Sequence, residues 1–476
     1  MNTYPQFTLH IAGEWVGVGS RRVHHVINPA TEEVLGELPL ADAADLDRAL
    51  DAADRGFKVW SKKTPLERSA VLRRAANLLR ERLDSIARAA TMEEGKPVGE
   101  SRLELNLAID WLEFAAEEGK RAYGRVLARP AGQRHMVVRE PVGPVAALTP
   151  WNFPIAAPMR ELAATLAAGC SCILKAPEEA PSASIELVRA FLDAGVPSGA
   201  AQVVFGVPDE VARHLLASPV IRKLAFTGSV PVGKHLMKLA ADGMKRTSME
   251  LGGHAPAIIF DDADMETALN AMISFKFRNA GQVCVAPTRF YVQEPVYRDF
   301  VRQFAERAKA IPVGNGLDET KRMGPLANPR RREAMETLIE DAVGHGAKLE
   351  TGGRRIGTQG YYWEPTVLSD VPQEARMMHE EPFGPVALFQ PFRTFDEVVE
   401  KANRLPYGLA AYAFTQSSKR AMMIGDALEA GMVGVNSVAI FGADVPFGGV
   451  KESGHGSVYG PEGVEAFQVI KSIVMG

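Results

Sequence analysis

One cysteine stands where it could act as a nucleophile. Cys284 ends the run NAGQVC at 279–284, between a predicted helix and a predicted strand. A thiol with a reference pKa of about 8.5 is a few per cent thiolate at neutral pH, and a neighbouring base or dipole can raise that fraction. Cys170 and Cys172 show the commoner case, because they lie in the apolar stretch AAGCSCILK and are expected to pack in a core.

Further polar residues and glycines stand at the ends of predicted strands. In open parallel sheets, ligands bind beyond the carboxyl ends of the strands. The positions of this kind are Trp151, Asn152, Lys175, Gly206, Gly228 and Ser229. Glu250 also ends a strand, but a glutamate there is usually solvated or salt-bridged. Its strand position alone therefore does not identify Glu250 as a base.

The elements that must hold these residues follow an α/β pattern. The apolar runs VAALT, CILKA, AQVVFG and KLAFTGS alternate with helical stretches from residue 144 onward, which predicts a parallel sheet covered by helices. A second alternation, from APAIIF through RFYVQ to MVGVNS, begins after Gly252. We therefore predict a domain boundary near Gly252, a hairpin over about 119–138 and interdomain loops over 446–460.

The amino-terminal part is predicted to be helical. Apolar residues recur every three or four positions from 64 to 86, which indicates one amphipathic helix. Thr64 suits its N-cap, Pro65 its first position and Glu67 a capping box. Another helix is expected before it, with Leu46, Ala49, Ala53 and Phe57 on one face.

Composition narrows the class of protein. The chain has 476 residues, 46% hydrophobic and 24% charged, with a formal net charge of −4. Two or three domains are expected, with no basic excess for nucleic acid or an anionic membrane. Three cysteines are too few for a disulfide framework or a four-ligand zinc site, so we predict no metal. The sequence shows no signal peptide and no apolar run of about 20 residues, which favours a cytoplasmic protein.

Six motifs occur in one order along the chain. They are PWNFP at 150–154, LKAPEE at 174–179, FTGS at 226–229, ELGG at 250–253, GQVC at 281–284 and EEPFGPV at 380–386. With the opening LHIAGEWV and the late PFGGVKESG, they make the chain resemble the aldehyde dehydrogenase superfamily over nearly its whole length. The resemblance is closest to succinate-semialdehyde and 2-oxoglutarate-semialdehyde dehydrogenases.

The resemblance implies roles for three residues. An aldehyde is a poor hydride donor until a nucleophile makes its carbon tetrahedral, and Cys284 would form that thiohemiacetal and then a thioester. The side-chain amide of Asn152 and the backbone N–H of Cys284 would stabilise the oxyanion. Glu250 would act as the general base for the water that releases the acid.

The resemblance also implies a nicotinamide cofactor, although no G-x-G-x-x-G follows the first strand. The pyrophosphate would lie near the helix that starts after FTGS. The expected cofactor residues are Trp151, Lys175, Glu178, Gly206, Gly228, Ser229, Glu381 and Phe383. A carboxylate at Glu178 would repel a 2′-phosphate, so NAD is expected in preference to NADP. Alternatively, Glu178 and Glu179 form a solvated acidic pair at a helix start.

The implied architecture has three parts. A Rossmann-like cofactor domain would comprise residues 1–118 and 139–251, and a second α/β catalytic domain residues 252–445. A small β oligomerisation element would comprise 119–138 and 463–476. Family members usually assemble through this element, so a homodimer or homotetramer is expected.

Substrate choice depends on the cavity wall. Arg160 and Arg278 match positions that bind the distal carboxylate in succinate-semialdehyde enzymes, and guanidinium groups suit carboxylates. Alternatively, either is a surface or salt-bridged arginine. Phe441 and Gly442 stand where those enzymes usually have serines, so Phe441 is expected to make the pocket mouth more apolar. The prediction is a carboxylated semialdehyde. An uncharged aldehyde, a cysteine esterase without redox chemistry and a catalytically silent relative are the alternatives.

Overall fold

The computed structural model describes residues 5–476. The α-helices are α1 Ala43–Trp60, α2 Pro65–Glu81, α3 Leu83–Glu94, α4 Val98–Glu118, α5 Ala156–Ala168, α6 Pro181–Asp193, α7 Pro208–Ala217, α8 Val230–Asp242, α9 Met265–Phe277, α10 Glu294–Lys309, α11 Pro329–Gly344, α12 Phe395–Asn403, α13 Ser418–Ala427 and α14 Gly460–Glu465. The strands are β1 Leu9–Ile11, β2 Glu14–Val16, β3 Val23–Ile27, β4 Val34–Pro39, β5 Arg125–Leu127, β6 Arg134–Pro141, β7 Val145–Leu148, β8 Cys172–Lys175, β9 Ala201–Val204, β10 Lys223–Gly228, β11 Arg246–Leu251, β12 Ala255–Ile259, β13 Pro287–Gln293, β14 Lys348–Thr351, β15 Thr366–Ser369, β16 Val386–Phe392, β17 Tyr407–Gly408, β18 Ala410–Phe414, β19 Met432–Val435, β20 Val450–Lys451, β21 Gly454–His455 and β22 Gln468–Met475.

The first sheet has eight strands in the order β2-β1-β9-β8-β7-β10-β11-β21. Its five central strands, β9 to β11 in this order, are parallel, and the strands at its two edges are antiparallel. β7, β8 and β9 are buried along their whole length, as expected for a sheet covered on both faces. The carboxyl ends of these strands carry the residues predicted from their position.

The second sheet has seven strands in the order β14-β15-β16-β13-β12-β18-β19. All neighbours are parallel except the edge pair β14 and β15. The predicted boundary near Gly252 falls between β11, which belongs to the first sheet, and β12, which belongs to the second. The prediction of two α/β parts is confirmed.

A three-stranded antiparallel sheet, ordered β22-β6-β5, stands apart from both. The hairpin predicted over 119–138 is present, but β6 runs on to Pro141 because it pairs along its whole length with β22. Its exposed apolar side chains include Val126 at 69%, Ile470 at 72% and Val474 at 61% exposure. Such a surface is typical of a site of protein–protein contact.

Two predicted segments differ from the structure. The single helix over 64–86 is divided at Arg82, between α2 and α3. The apolar period continues across the break because both helices pack on α4 and α6. The predicted start is correct: Thr64 accepts from the backbone N–H of Glu67, and the Glu67 carboxylate accepts from that of Thr64. The stretch 446–460, predicted as loops, contains β20 and β21, and β21 extends the first sheet beside Glu250.

Candidate active site

The loop that carries Cys284 begins with an unusual turn. After α9, the residues Asn279, Ala280 and Gly281 have φ values of +48°, +51° and +72°, in the left-handed region. Gly281 suits this conformation, and an added Cβ there would collide with the backbone carbonyl of Gly384. The turn is anchored where the Asn279 backbone N–H donates to the Glu100 carboxylate at 3.0 Å. Strain of this kind clusters at functional sites.

The turn places the Cys284 thiol against Glu250. The half-buried thiol donates to Glu250 Oε1, with 3.6 Å between sulfur and oxygen. Loss of hydration and the negative charge of Glu250 raise the pKa of Cys284 well above that of a free thiol. The environment therefore does not favour the thiolate in the resting protein. From the sequence, a neighbouring base or dipole was expected to be able to raise the thiolate fraction, and the structure shows the opposite effect. Glu250 is instead placed to accept the thiol proton.

The second oxygen of Glu250 is bound by two groups from neighbouring elements. Arg160 Nη2, on α5, lies 2.6 Å from Oε2, and the Thr227 hydroxyl, on β10, donates to it at 3.1 Å. The Arg160 guanidinium also lies 5.3 Å from the ring of Phe447 and 5.7 Å from that of Tyr459. Arg160 was predicted as a substrate residue, with a salt-bridged arginine as the alternative, and the structure pairs it with Glu250.

Asn152 is held through both its main chain and its side chain. Its Nδ2 donates to the Gln282 carbonyl at 2.9 Å, and its own carbonyl accepts from Lys96 Nζ at 2.8 Å and Asn279 Nδ2 at 2.9 Å. A side-chain amide carries two N–H donors, so the second can donate to a ligand. This arrangement fits the predicted oxyanion donor.

A buried ion pair supports Asn152 and was missed by the sequence reasoning. Lys96 Nζ lies 2.6 Å from Glu104 Oε2, and both side chains are 1% exposed. Glu104 Oε1 accepts from the backbone N–H groups of Ile155 and Ala156, just after Asn152. Both residues lie in the stretch EEGKPVGESRLE at 93–104, which has six charged residues, so nothing in the sequence singled out Lys96 and Glu104 or linked them to PWNFP.

The residues predicted for the adenosine ribose lie together at the ends of β8 and β9. Lys175 Nζ is 2.8 Å from Glu178 Oε2, and Glu178 Oε1 accepts from the Gly206 backbone N–H at 3.0 Å. The Lys175 charge is thus already paired. The alternative of a solvated pair of glutamates does not describe Glu178, since its carboxylate is bound on both oxygens.

Gly228 and Ser229 lie where β10 meets α8. Within the described chain, the Ser229 side chain does not cap this helix. The first-turn N–H groups of an α-helix have no partner inside it, and the helix dipole favours anions at this end. A pyrophosphate would satisfy these groups, so this helix start fits the predicted cofactor.

The remaining predicted cofactor residues line the opposite wall. Trp151 and Phe383 meet edge to face, with ring centroids 5.6 Å apart. Loss of hydration raises the pKa of Glu381 to about 8, although the Gly253 N–H opposes the rise. A Cβ on Gly252 would lie 2.5 Å from the Glu381 carboxylate, so glycine is required there for this approach.

One cavity of about 730 Å³ joins most of these groups. Its wall includes the predicted site residues Trp151, Asn152, Arg160, Gly228, Ser229, Glu250, Arg278, Cys284, Glu381, Phe383 and Phe441. Lys175, Glu178 and Gly206 lie outside this wall and contact one another instead. The Cys284 thiol, Glu250 and the predicted cofactor residues Trp151, Glu381 and Phe383 therefore face the same cavity.

Arg278 is the less engaged of the two predicted arginines. Its closest carboxylate oxygen among residues 5–476 is that of Glu100, 4.0 Å from Nε, and this Nε has no hydrogen-bond partner. The guanidinium lies 5.5 Å from the ring of Phe153. Arg278 thus brings positive charge to the cavity wall, and its one described counter-ion, Glu100, lies at the outer limit of ion-pair distance.

The described residues contain neither a metal-binding cluster nor a helix suited to cross a membrane. In the described range, His, Cys, Asp and Glu side chains do not gather in any group of three that could hold a metal ion. Of the helices in that range, not one is both long and apolar enough to cross a membrane.

Comparison with known proteins agrees with this geometry. Residues 15–473 match the Aldehyde dehydrogenase family. A 4-(hydroxymethyl)benzenesulfonate dehydrogenase of Comamonas testosteroni is 46% identical over 96% of both chains. An NADP-dependent succinate-semialdehyde dehydrogenase of Escherichia coli is 39% identical over 98% of this chain and 97% of its own. The crystal structure of a succinate-semialdehyde dehydrogenase from Burkholderia pseudomallei superposes with a TM-score of 0.97 at 40% identity, covering 100% of this chain and 99% of the other.

The chain belongs to the aldehyde dehydrogenase family. It is an oxidoreductase that acts on aldehydes, and the resemblance and fold class predicted from the motifs are confirmed.

Proposed function

We propose that the protein oxidises aldehydes bearing a distal anionic group to the corresponding acids, with NAD as the preferred cofactor. The observation that carries the substrate class is Arg278, a cation in the cavity wall whose closest described carboxylate is 4.0 Å away. The names of similar proteins support it, since one acts on a semialdehyde carboxylate and another on a benzenesulfonate. Phe153, Phe441 and Phe447 give the same cavity apolar walls.

The residues of the site suffice for the covalent steps. Glu250 Oε1 accepts the thiol proton, and Cys284 Sγ attacks the aldehyde carbon. Asn152 Nδ2–H and the Cys284 backbone N–H donate to the oxyanion of the thiohemiacetal. When bound, NAD supplies the acceptor for the hydride. Once Glu250 has released the thiol proton to solvent, its carboxylate deprotonates the water that hydrolyses the thioester, and Cys284 leaves as the thiol group.

The preference for NAD follows from the pairing of Lys175. Glu178 neutralises this lysine at 2.8 Å and leaves it without free charge for a 2′-phosphate. Glu178→Gln should lower the KM for NADP by about tenfold, because it removes a like charge and releases Lys175. Steady-state kinetics with both cofactors would measure this. The proposal is wrong if the unmodified enzyme already prefers NADP, as the names of its relatives suggest for them.

The substrate proposal is tested with matched aldehyde pairs. NADH formation is compared for succinate semialdehyde against butanal, and for 4-sulfobenzaldehyde against benzaldehyde, so that only the anion differs. We expect the anionic member to have the higher kcat/KM by at least about tenfold, as for a hydrogen-bonded charge pair. Cys284→Ala should abolish every activity, and Arg278→Gln should remove most of the preference within each pair.

Other outcomes would identify the alternatives. Equal kcat/KM within each pair would refute anion recognition and favour an uncharged aldehyde. Ester hydrolysis without NADH formation from any aldehyde would favour a cysteine esterase, and no activity at all would favour a silent relative.

We also propose that the protein is a homo-oligomer that assembles through the β22-β6-β5 sheet. The exposed Val126, Ile470 and Val474 side chains support this interface. Size-exclusion chromatography with light scattering would test it, and a monomer would refute it.

A further inference from the structure

The ion pair between Arg160 and Glu250 is buried at the centre of the site. The two side chains are 8% and 5% exposed, and 2.6 Å separates Nη2 from Oε2. An unpaired carboxylate is unfavourable in such surroundings, and removing one member of a buried pair leaves the other uncompensated. Arg160 is therefore the buried counter-ion of the Glu250 carboxylate.

The two oxygens of the Glu250 carboxylate contact different groups. Oε2 receives Arg160 and the Thr227 hydroxyl, while Oε1 receives the Cys284 thiol. With Oε2 held by two donors from α5 and β10, rotation of the carboxylate away from the thiol would break both contacts.

The ionisable groups that face Glu250 come from several elements. They are Arg160 and Glu161 on α5, Cys284 on its loop and Tyr459 before α14. Only Arg160 among these carries positive charge. Its removal would therefore leave Glu250 among acidic or neutral groups.

We propose that Arg160 is a positioning residue for the general base: it holds Oε2 of Glu250 and so turns Oε1 toward Cys284. This inference rests on the proposed role of Glu250 but not on the substrate class. It divides the work of the two cavity arginines, because Arg278 then supplies the charge for an anionic substrate and Arg160 supplies the charge for the base.

The test compares Arg160→Gln with Arg160→Lys. For each, kcat at saturation and its pH profile are measured with butanal and with the fastest anionic aldehyde. Arg302→Gln, on the exposed face of α10, controls for the exchange of residue type. Thr227→Val is the milder variant, since it removes the second donor to Oε2 without changing charge.

With Arg160→Gln we expect kcat at pH 7 to fall about 10- to 100-fold with either substrate, as for partial loss of a general base. The pH profile of kcat should also change, because a cation in contact with the catalytic carboxylate is removed. Arg160→Lys should restore part of both, and Thr227→Val should lower kcat several-fold. Circular dichroism of each variant verifies folding.

The opposite pattern would overturn the inference. If Arg160→Gln only raises KM for the anionic aldehyde, with kcat and the pH profile unchanged, Arg160 serves the substrate and not the base. Failure of the substrate proposal gives a different signature, because the unmodified enzyme would then show no preference for anionic aldehydes while the Arg160 variants still lost kcat.

Discussion

Replacing Lys96 by methionine should damage both stability and catalysis. Lys96 Nζ bonds to Glu104 Oε2 at 2.6 Å and to the Asn152 carbonyl at 2.8 Å, and it lies 4.3 Å from the Phe153 ring centroid. Methionine fills similar space, but it leaves the Glu104 carboxylate buried without its cation. Breaking a buried pair in this way costs about 3 to 5 kcal/mol.

The catalytic effect comes through Asn152. Its carbonyl would keep only the Asn279 Nδ2 donor at 2.9 Å, so the predicted oxyanion donor would be less well fixed. Complete loss of one such donor lowers kcat about 100- to 1,000-fold, so we expect a loss of about 10- to 100-fold. Urea unfolding would measure the change in stability, and NADH formation at saturating aldehyde would measure kcat.

A double variant separates the two effects. Glu104→Gln removes the unpaired charge but keeps an oxygen for the Ile155 and Ala156 N–H groups. Added to Lys96→Met, it should recover about 2 kcal/mol of stability but little kcat, because it neutralises the nearer of the two carboxylates that pair with Lys96, the other being Glu94 at 3.9 Å. A single Lys96→Met variant with less than about 1 kcal/mol of destabilisation and unchanged kcat would refute the reasoning.

Three further predictions concern the thiol, its loop and the assembly. Glu250→Gln should abolish turnover yet speed iodoacetamide labelling of Cys284 at pH 7.5 by at least about threefold, because the charge that helps raise the pKa of the thiol is lost. Gly281→Ala should lower kcat by about 100-fold or more, because the added Cβ displaces the loop; turnover at saturation measures it. Ile470→Asp should shift light scattering toward a smaller species, since it places charge in the proposed interface.

Each of these three variants has a control or a result that would contradict its prediction. Slower labelling in Glu250→Gln would show that the carboxylate promotes thiolate formation in the resting enzyme. Gly346→Ala is the control for backbone strain, because Gly346 also has positive φ but its added Cβ would lie in open space. An equal loss of kcat in this variant would show that the collision of the Gly281 Cβ with Gly384 is not the cause. Leu66→Asp, 71% exposed on α2, is the matched control for Ile470, and no change in size with either would leave the sheet out of the interface.

Much of the fold could be predicted because it depends on local patterns. The buried parallel strands β7, β8, β9 and β10 appear as apolar runs with turn residues at their ends, and the capping box at Thr64 appears as a four-residue signature. The break at Arg82 could not be predicted, since the apolar period continues through it and only packing on α4 and α6 decides where the helix divides.

The sequence by itself determined the α/β elements, the strand-end residues and, through the order of its motifs, the prediction that Cys284 is the nucleophile. Only the tertiary structure decided that Arg160 pairs with Glu250, that Lys96 holds Asn152 and that Arg278 is only loosely paired, with Glu100 at 4.0 Å. The physical reason is that hydrophobic periodicity records whether a residue is buried. It does not record which buried charge lies within about 3 Å of which other, because those pairs form between elements distant along the chain.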